Sequence, residues 1–266
     1  MAQQFRRLFW IVLMVMVSTQ IGAAETSSPK IGIVIMHGKG GSPTKHVFEL
    51  ASTLEEKGYL VANLEMPWSG NRGYDVDVSA AEKEVQSALQ NLKSKGAQKL
   101  IVAGHSQGGV FALYFGSEHI VDGVIAIAPG GNVKSATFQE KLSGYVEKAR
   151  RLIAEGKGAQ KEKFSDFEGA RGVFPVTTTA GIYLTWFDPE GAMNQMRSIK
   201  HMKTPVLYVA PTDDYPGLRN IKQTMFDALP THPLNKLYEP NSNHTGAPSI
   251  SRDEIMRWMS EVTRGK

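Results

Sequence analysis

A serine flanked by glycines lies at Ser106, within the sequence GHSQG at 104–108. The motif directly follows an apolar run, KLIVA at 99–103, and precedes a helical pattern at 107–117. Gly-x-Ser-x-Gly at a strand-to-helix turn lets the backbone turn sharply, so that the serine hydroxyl projects from the sheet and can act as a nucleophile. A glycine-rich turn that only packs a helix against a strand is the alternative. The position between strand and helix favours the nucleophile.

A serine hydroxyl becomes a good nucleophile when a histidine accepts its proton, and an acid must fix the tautomer of that histidine. Among the seven histidines, His244 follows the last apolar run and precedes the final helical pattern at 252–262. Asp213 and Asp214 follow the apolar run PVLYVA. We expect His244 to be the base and Asp213 the acid, with Asp214 as the alternative.

The loop HGKGG at 37–41 follows a further apolar run, KIGIVIM. Backbone N–H groups in such a loop can stabilise the negative charge that develops on a carbonyl oxygen during acyl transfer. The residue after the nucleophile commonly supplies a second N–H. We therefore expect the amides of Lys39 and Gln107 to form an oxyanion hole, with Gly40 as the second choice in the first loop. A phosphate-binding loop is disfavoured, because HGKGG lacks the Gly-Lys-Ser/Thr ending of a P-loop.

These loops need a scaffold that brings them together. Helical patterns separate apolar runs at 30–36, 60–66, 99–103, 121–128, 205–210 and 236–239. Repeated strand–helix units of this kind predict an α/β fold, with a mostly parallel sheet flanked by helices and the strand-to-helix loops at one edge. The alternation stops between 131 and 202, where a basic helical pattern at 138–155 and an aromatic-rich part predict a helical insertion.

The motifs HGKGG, GHSQGG, PTDD and NSNH together resemble the α/β-hydrolase superfamily, over nearly the whole chain after residue 24. The resemblance implies that 131–202 is a lid insertion, and that the first two, antiparallel strands of that fold are absent here. It does not identify the substrate, because the superfamily includes esterases, lipases, thioesterases, peptidases and dienelactone hydrolases. Ser106 argues against a dehalogenase or an epoxide hydrolase, which have aspartate at that position.

The function that these residues favour is hydrolysis of a carboxylic ester, in the manner of a carboxylesterase, with an acyl-enzyme intermediate and a small-molecule ester or acyl substrate. An amidase or peptidase with the same triad is one alternative. A non-catalytic hydrolase-fold protein of the cell envelope is another. Met66, Trp68 and Trp186 are candidate substrate-binding residues. Packing within the protein explains Trp68 equally well, and it is the favoured interpretation for at least two of Tyr183, Trp186 and Phe187.

Composition excludes several other classes of protein. Hydrophobic residues make up 41% of the chain and charged residues 21%, a balance typical of globular proteins. The absence of cysteine excludes disulfides and thiolate zinc sites. No histidine or acidic cluster has metal-ligand spacing, so we expect neither a metal nor another cofactor. The net charge of +4 is a modest excess without the basic stripe of a nucleic-acid-binding protein.

Residues 1–24 have the pattern of a secretory signal peptide. Two arginines precede an apolar run of ten residues at 8–17, and small residues follow as far as Ala24. Ten apolar residues are too few to cross a bilayer, which takes about 20. We expect cleavage after Ala24, a mature domain at 25–266 without a stable membrane span, and secretion or a periplasmic location. An uncleaved N-terminal membrane anchor is the alternative.

Overall fold

The computed structural model describes residues 29–264, so the segment interpreted as a signal peptide lies outside the described residues. In chain order the elements are β1 (Ile31–Met36), α1 (Phe48–Glu56), β2 (Leu60–Leu64), α2 (Val78–Ser94), β3 (Lys99–His105), α3 (Gln107–Glu118), β4 (Gly123–Ile127), α4 (Ala136–Ala154), β5 (Lys161–Glu168), β6 (Gly172–Thr179), α5 (Ala180–Phe187), α6 (Gln195–Lys200), β7 (Val206–Val209), α7 (Pro216–Asp227), β8 (Lys236–Tyr238), α8 (Ala247–Ile250) and α9 (Arg252–Thr263).

Six strands form one sheet in the order β2-β1-β3-β4-β7-β8, and every neighbouring pair is parallel. Because all six strands run in the same direction, their carboxyl ends lie at the same edge of the sheet. Between residues 29 and 264 this sheet contains no antiparallel strand. The predicted α/β class is confirmed.

Both faces of the sheet are covered, and β1 illustrates how. Ile33 and Ile35 pack into a core with α1 and α9, while Val34 and Met36 pack into a core with α2, α3 and the insertion. Successive side chains of a strand point to opposite faces, so a strand buried on both sides has a continuous apolar run. The six apolar runs of the sequence agree with the observed strands to within one or two residues at each end.

The insertion between β4 and β7 contains α4, an antiparallel hairpin of β5 and β6, α5 and α6. The helix predicted at 138–155 is α4. The sequence predicted only helices here and not the hairpin, because β5 (KEKFSDFE) mixes charged and apolar residues and has no continuous apolar run. Phe164 of β5 stacks on Tyr183 of α5 with ring centroids 4.3 Å apart, so the hairpin and helices share a core. The limits of the insertion at 131 and 202 stay a prediction.

Helix α1 begins at Phe48, directly after a stretch of turns. None of the helices within residues 29–264 combines the length and apolar character that crossing a membrane would require.

Candidate active site

Ser106 lies at a sharp turn between the last residue of β3 and the first residue of α3. Its φ of 53° is a strained value for a residue other than glycine. A Cβ at Gly104 would stand 2.0 Å from the Gly108 carbonyl oxygen, and one at Gly108 would stand 2.3 Å from the Met36 carbonyl oxygen. Both glycines are therefore required for the close approach of backbone segments, which is the geometry of a nucleophile elbow.

The acid beside His244 is Asp214. Its Oδ1 lies 2.7 Å from His244 Nδ1 and also accepts a hydrogen bond of 2.7 Å from the Tyr215 N–H. The Asp214 side chain is only 4% exposed, so this contact with the imidazole lies largely out of water. Such a carboxylate holds the ring in the tautomer whose Nε2 can accept a proton.

The preference for Asp213 is thereby corrected. Asp213 is exposed, and its backbone pairs with the segment after β8, donating its N–H to the Ser242 carbonyl oxygen at 3.0 Å and forming a β-bridge with Asn243. The Asp214 N–H donates to the Pro211 carbonyl oxygen at 3.3 Å, so the chain turns here. This turn leaves the Asp213 side chain in solvent and places that of Asp214 beside His244.

His105 supports the backbone of the loop that carries His244. Its Nε2 lies 2.9 Å from the His244 carbonyl oxygen, whereas its buried Nδ1 has no hydrogen-bond partner among the described residues. Burial lowers the pKa of His105 to about 3, with a further contribution from the His244 ring. A neutral His105 therefore donates one hydrogen bond through Nε2, and protonation at Nδ1 would place an unsatisfied charge in the core.

Two backbone amides beside Ser106 remain available as donors. Within residues 29–264, the N–H groups of Lys39 and Gln107 donate no hydrogen bond, and both residues line a cavity with Ser106. The amide of Gly40, the second choice in this loop, donates to the Trp68 carbonyl oxygen at 2.9 Å. Of these two loop residues, only Lys39 therefore has a backbone N–H free to bind an oxyanion.

His37 has a structural role, since its side chain holds the same loop in place. Its Nε2 accepts the Met66 N–H at 3.0 Å, and its Nδ1 lies 2.7 Å from the Gly38 carbonyl oxygen. Burial lowers its pKa, so the ring is neutral and can accept at Nε2 while donating at Nδ1. The ring thus ties the loop after β1 to the loop after β2.

Two neighbouring cavities are both lined by Ser106 and His244. No hydrogen bond joins their side chains within residues 29–264. Catalytic hydrogen bonds are often long in the absence of substrate and shorten in the reacting complex. The larger cavity has a volume of about 490 Å³ and a mostly apolar wall. The apolar side chains of that wall are Phe138, Phe167, Leu218 and Ile221.

The second cavity, of about 410 Å³, is more polar. It contains the glycine-rich loop after β1 and the side chains of Lys45, His46, Arg171 and Thr245. Glu168 lines both cavities, and its Oε2 lies 3.7 Å from Arg171 Nη1. A molecule that reacts at Ser106 therefore meets an apolar surface on one side and a polar one with cationic side chains on the other.

The candidate substrate-binding residues Met66, Trp68 and Trp186 lie in the core instead and line neither cavity. The indole N–H of Trp68 donates to the His37 carbonyl oxygen at 2.8 Å, and that of Trp186 donates to the Val76 carbonyl oxygen at 2.8 Å. The rings of both tryptophans are thus packed, and their N–H groups hydrogen-bonded, inside the protein. The apolar wall comes from α4, β5 and α7, of which Leu218 and Ile221 have the i, i+3 spacing of one helix face.

The sequence also matches a known protein family. Residues 27–166 match the family described as serine aminopeptidase, S33, which is more than half of the chain. The chain belongs to this family. It is an α/β hydrolase, as the four motifs predicted. No curated protein matches it.

Solved structures show the same fold at low sequence identity. A monoacylglycerol lipase of Paleococcus ferrophilus superimposes with a TM-score of 0.61 and 19% identity, over 89% of this chain and 98% of the lipase. DcsB in complex with its substrate analogue gives 0.65 and 16%, over 90% and 92%. Est1E from Butyrivibrio proteoclasticus gives 0.58 and 16%, over 90% of both chains. These superpositions establish the architecture, and at such low identity they do not identify the substrate.

Proposed function

We propose that the protein hydrolyses carboxylic esters through Ser106, His244 and Asp214. The observation that carries the proposal is the strained turn at Ser106, which presents the hydroxyl to the cavities that His244 also lines, while Asp214 holds the imidazole at 2.7 Å. Strain in a buried backbone costs stability and is retained where it places a reacting group.

The reaction follows from the geometry. Ser106 Oγ attacks the ester carbonyl carbon as His244 Nε2 takes its proton, and Asp214 stabilises the imidazolium that forms. The amides of Lys39 and Gln107 donate to the carbonyl oxygen, which becomes negatively charged. His244 then protonates the departing alcohol, leaving an acyl-enzyme on Ser106. Water repeats the sequence, releasing the acid and restoring the serine hydroxyl.

The two cavities support a substrate with one apolar part and one polar part. An apolar chain fits the wall of Phe138, Phe167, Leu218 and Ile221, and burying such a chain contributes about 0.8 kcal/mol per CH₂ group. The polar part then faces Lys45 and Arg171. The similar structures include a monoacylglycerol lipase and lipolytic enzymes assigned to lipase and esterase families, which is in keeping with this proposal.

Hydrolysis of a peptide or other amide is the second candidate, because the family is described as serine aminopeptidases. Glu168 is the feature of the site that would favour it. Its Oε2 is buried and accepts no hydrogen bond among the described residues, and the ammonium group of an amine substrate would compete for it with Arg171, whose Nη1 lies 3.7 Å away.

Covalent labelling tests the activated serine. The mature protein is incubated with a fluorophosphonate and its intact mass is measured, with Ser106→Ala as the control. We expect one adduct that the variant does not form. Ester and amide substrates with the same acyl group then separate the two candidates by their kcat/KM. Absence of an adduct from the folded protein would favour a non-catalytic role instead.

We also propose that the protein is exported, on the strength of the charged, apolar and small-residue pattern of residues 1–24. The intact mass of protein from the periplasm or medium of a bacterial host tests this. A chain beginning at Glu25 is expected. A chain that retains residues 1–24 and sediments with the membrane would favour the anchored alternative.

A further inference from the structure

A buried chain of hydrogen bonds joins the side chains of the two residues that supply the proposed oxyanion amides. Lys39 Nζ donates to Asp166 Oδ1 at 2.6 Å, and Tyr74 Oη donates to Asp166 Oδ2 at 2.7 Å. Gln107 Nε2 in turn donates to Tyr74 Oη at 3.1 Å. The loops after β1 and β2 therefore meet strand β5 at one carboxylate, and the start of α3 is joined to it through Tyr74.

Asp166 lies entirely out of water, and its side-chain exposure is 0%. A buried carboxylate is tolerated when it is paired and hydrogen-bonded. Here Oδ1 accepts from Lys39 Nζ and from the Phe167 N–H at 2.6 Å, while Oδ2 accepts from Tyr74. The Lys39 ammonium has a second acceptor, the Phe167 carbonyl oxygen at 2.9 Å, and lies 5.0 Å from the Phe138 ring centroid. Both charges are held in one geometry.

Tyr74 shows that the backbone is adapted to this arrangement. Its φ is 59°, one of three positive values among non-glycine residues between 29 and 264, and Ser106 is another. Its carbonyl oxygen accepts the Thr178 hydroxyl of β6 at 2.8 Å. The hairpin thus holds Tyr74 in a strained conformation from which its hydroxyl reaches both Asp166 and Gln107.

We propose that Asp166 is a positioning residue for the oxyanion hole, fixing Lys39 directly and Gln107 through Tyr74. This inference rests on the proposed function. Donors lower the barrier to acyl transfer when they are already aimed at the place where charge develops, so their own rotation must be restricted. The hairpin of the insertion is consequently a fixed support of the active site, because swinging it away would expose a buried carboxylate and break its ion pair.

A purely structural ion pair would have a different signature. Its loss would lower the melting temperature and leave the kcat of the folded fraction unchanged. Loss of a positioning residue lowers kcat and leaves KM nearly the same, because the donors act mainly in the transition state. It also weakens inhibitors that carry a tetrahedral, negatively charged centre in the same proportion.

Asp166→Asn and Tyr74→Phe test the proposal in the full-length mature protein. We expect kcat for a soluble ester to fall about 100-fold for Asp166→Asn and about 10-fold for Tyr74→Phe, with KM changed less than about 2-fold; removal of a whole oxyanion donor costs about 10² to 10³. The affinity for an alkylboronic acid should fall in parallel. Glu162→Gln is the matched control, since it removes a β5–α4 ion pair of 2.9 Å that does not reach the site.

The outcomes are distinct. Folded Asp166→Asn and Tyr74→Phe variants with wild-type kcat and boronic-acid affinity would overturn the inference and leave the ester-hydrolase proposal intact. A wild-type protein that hydrolyses no ester and forms no fluorophosphonate adduct would remove the proposed function and the inference together. If Asp166→Asn does not fold, Tyr74→Phe decides, because it keeps the ring and the ion pair and removes only the hydroxyl.

Discussion

Asp213→Asn and Asp214→Asn make the same chemical change at neighbouring positions, only one of which contacts His244. Asp214 Oδ1 lies 2.7 Å from the imidazole Nδ1, and its side chain is buried, whereas Asp213 is exposed. An asparagine at 214 can still form a hydrogen bond to Nδ1. It cannot balance the imidazolium, and its NH₂ group favours the tautomer with the proton on Nε2, which cannot accept the serine proton.

The expected magnitude follows from that geometry. Replacing the triad acid by its amide lowers kcat by about 10⁴, equivalent to about 5 kcal/mol of transition-state stabilisation. We expect Asp214→Asn to lose activity of this order, since the Asp214 contact is short and largely excluded from solvent. The exposed carboxylate of Asp213 contributes little, and a change of less than about 2-fold in kcat is expected there, in line with other surface substitutions.

The assay is kcat for a soluble ester, together with the rate of fluorophosphonate labelling at Ser106, because labelling needs the same activated hydroxyl. Circular dichroism and thermal melting establish that both variants are folded. If Asp213→Asn lost activity while Asp214→Asn kept more than about a tenth of it, the assignment of the acid from the structure would be refuted.

Three further predictions follow from burial and space. The pKa of His105 falls to about 3 on folding, from near 6.5 in the unfolded chain. Between these pH values the unfolded chain binds more protons than the folded protein, so the free energy of unfolding is highest above pH 6.5 and is about 2 kcal/mol lower at about pH 5. Urea denaturation above pH 6.5 and at about pH 5 should show this difference for the wild type and a much smaller one for His105→Gln. Gly108→Ala should cost about 3 kcal/mol or more in thermal unfolding, since its Cβ would stand 2.3 Å from a backbone oxygen. Leu218→Trp should narrow the apolar cavity and lower kcat/KM for decanoate esters roughly 10-fold relative to acetate esters; equal losses for both chain lengths would contradict the cavity assignment.

Much of the fold was predictable because local signals agreed with one another. A strand buried on both faces must be continuously apolar, so the runs around Ile33 and Val102 marked strands without any knowledge of their neighbours. The glycines at 104 and 108 mark the strained turn at Ser106, since no larger residue fits there. Chain order and the parallel sheet then indicated which loops share an edge.

The direction in which a side chain points was harder to predict from the sequence. Asp213 and Asp214 are adjacent, and the choice between them depends on how the backbone after β7 pairs with the segment around Ser242. Trp68 and Trp186 illustrate the same limit, because an aromatic residue suits a core as well as a substrate pocket. Their indole N–H groups find backbone acceptors inside the protein, and nothing local to their sequence specifies those acceptors.

The sequence by itself determined the α/β class, the sharp turn at Ser106 and the loop of His244, because each depends on short-range constraints of backbone geometry, apolar periodicity and chain order. Only the tertiary structure decided the partner of His244, the apolar wall of the cavity and the ion pair of Lys39 with Asp166, whose partners lie 127 residues apart in the chain. The physical reason is that such contacts form where separate elements pack. Their geometry depends on the position of every element between them.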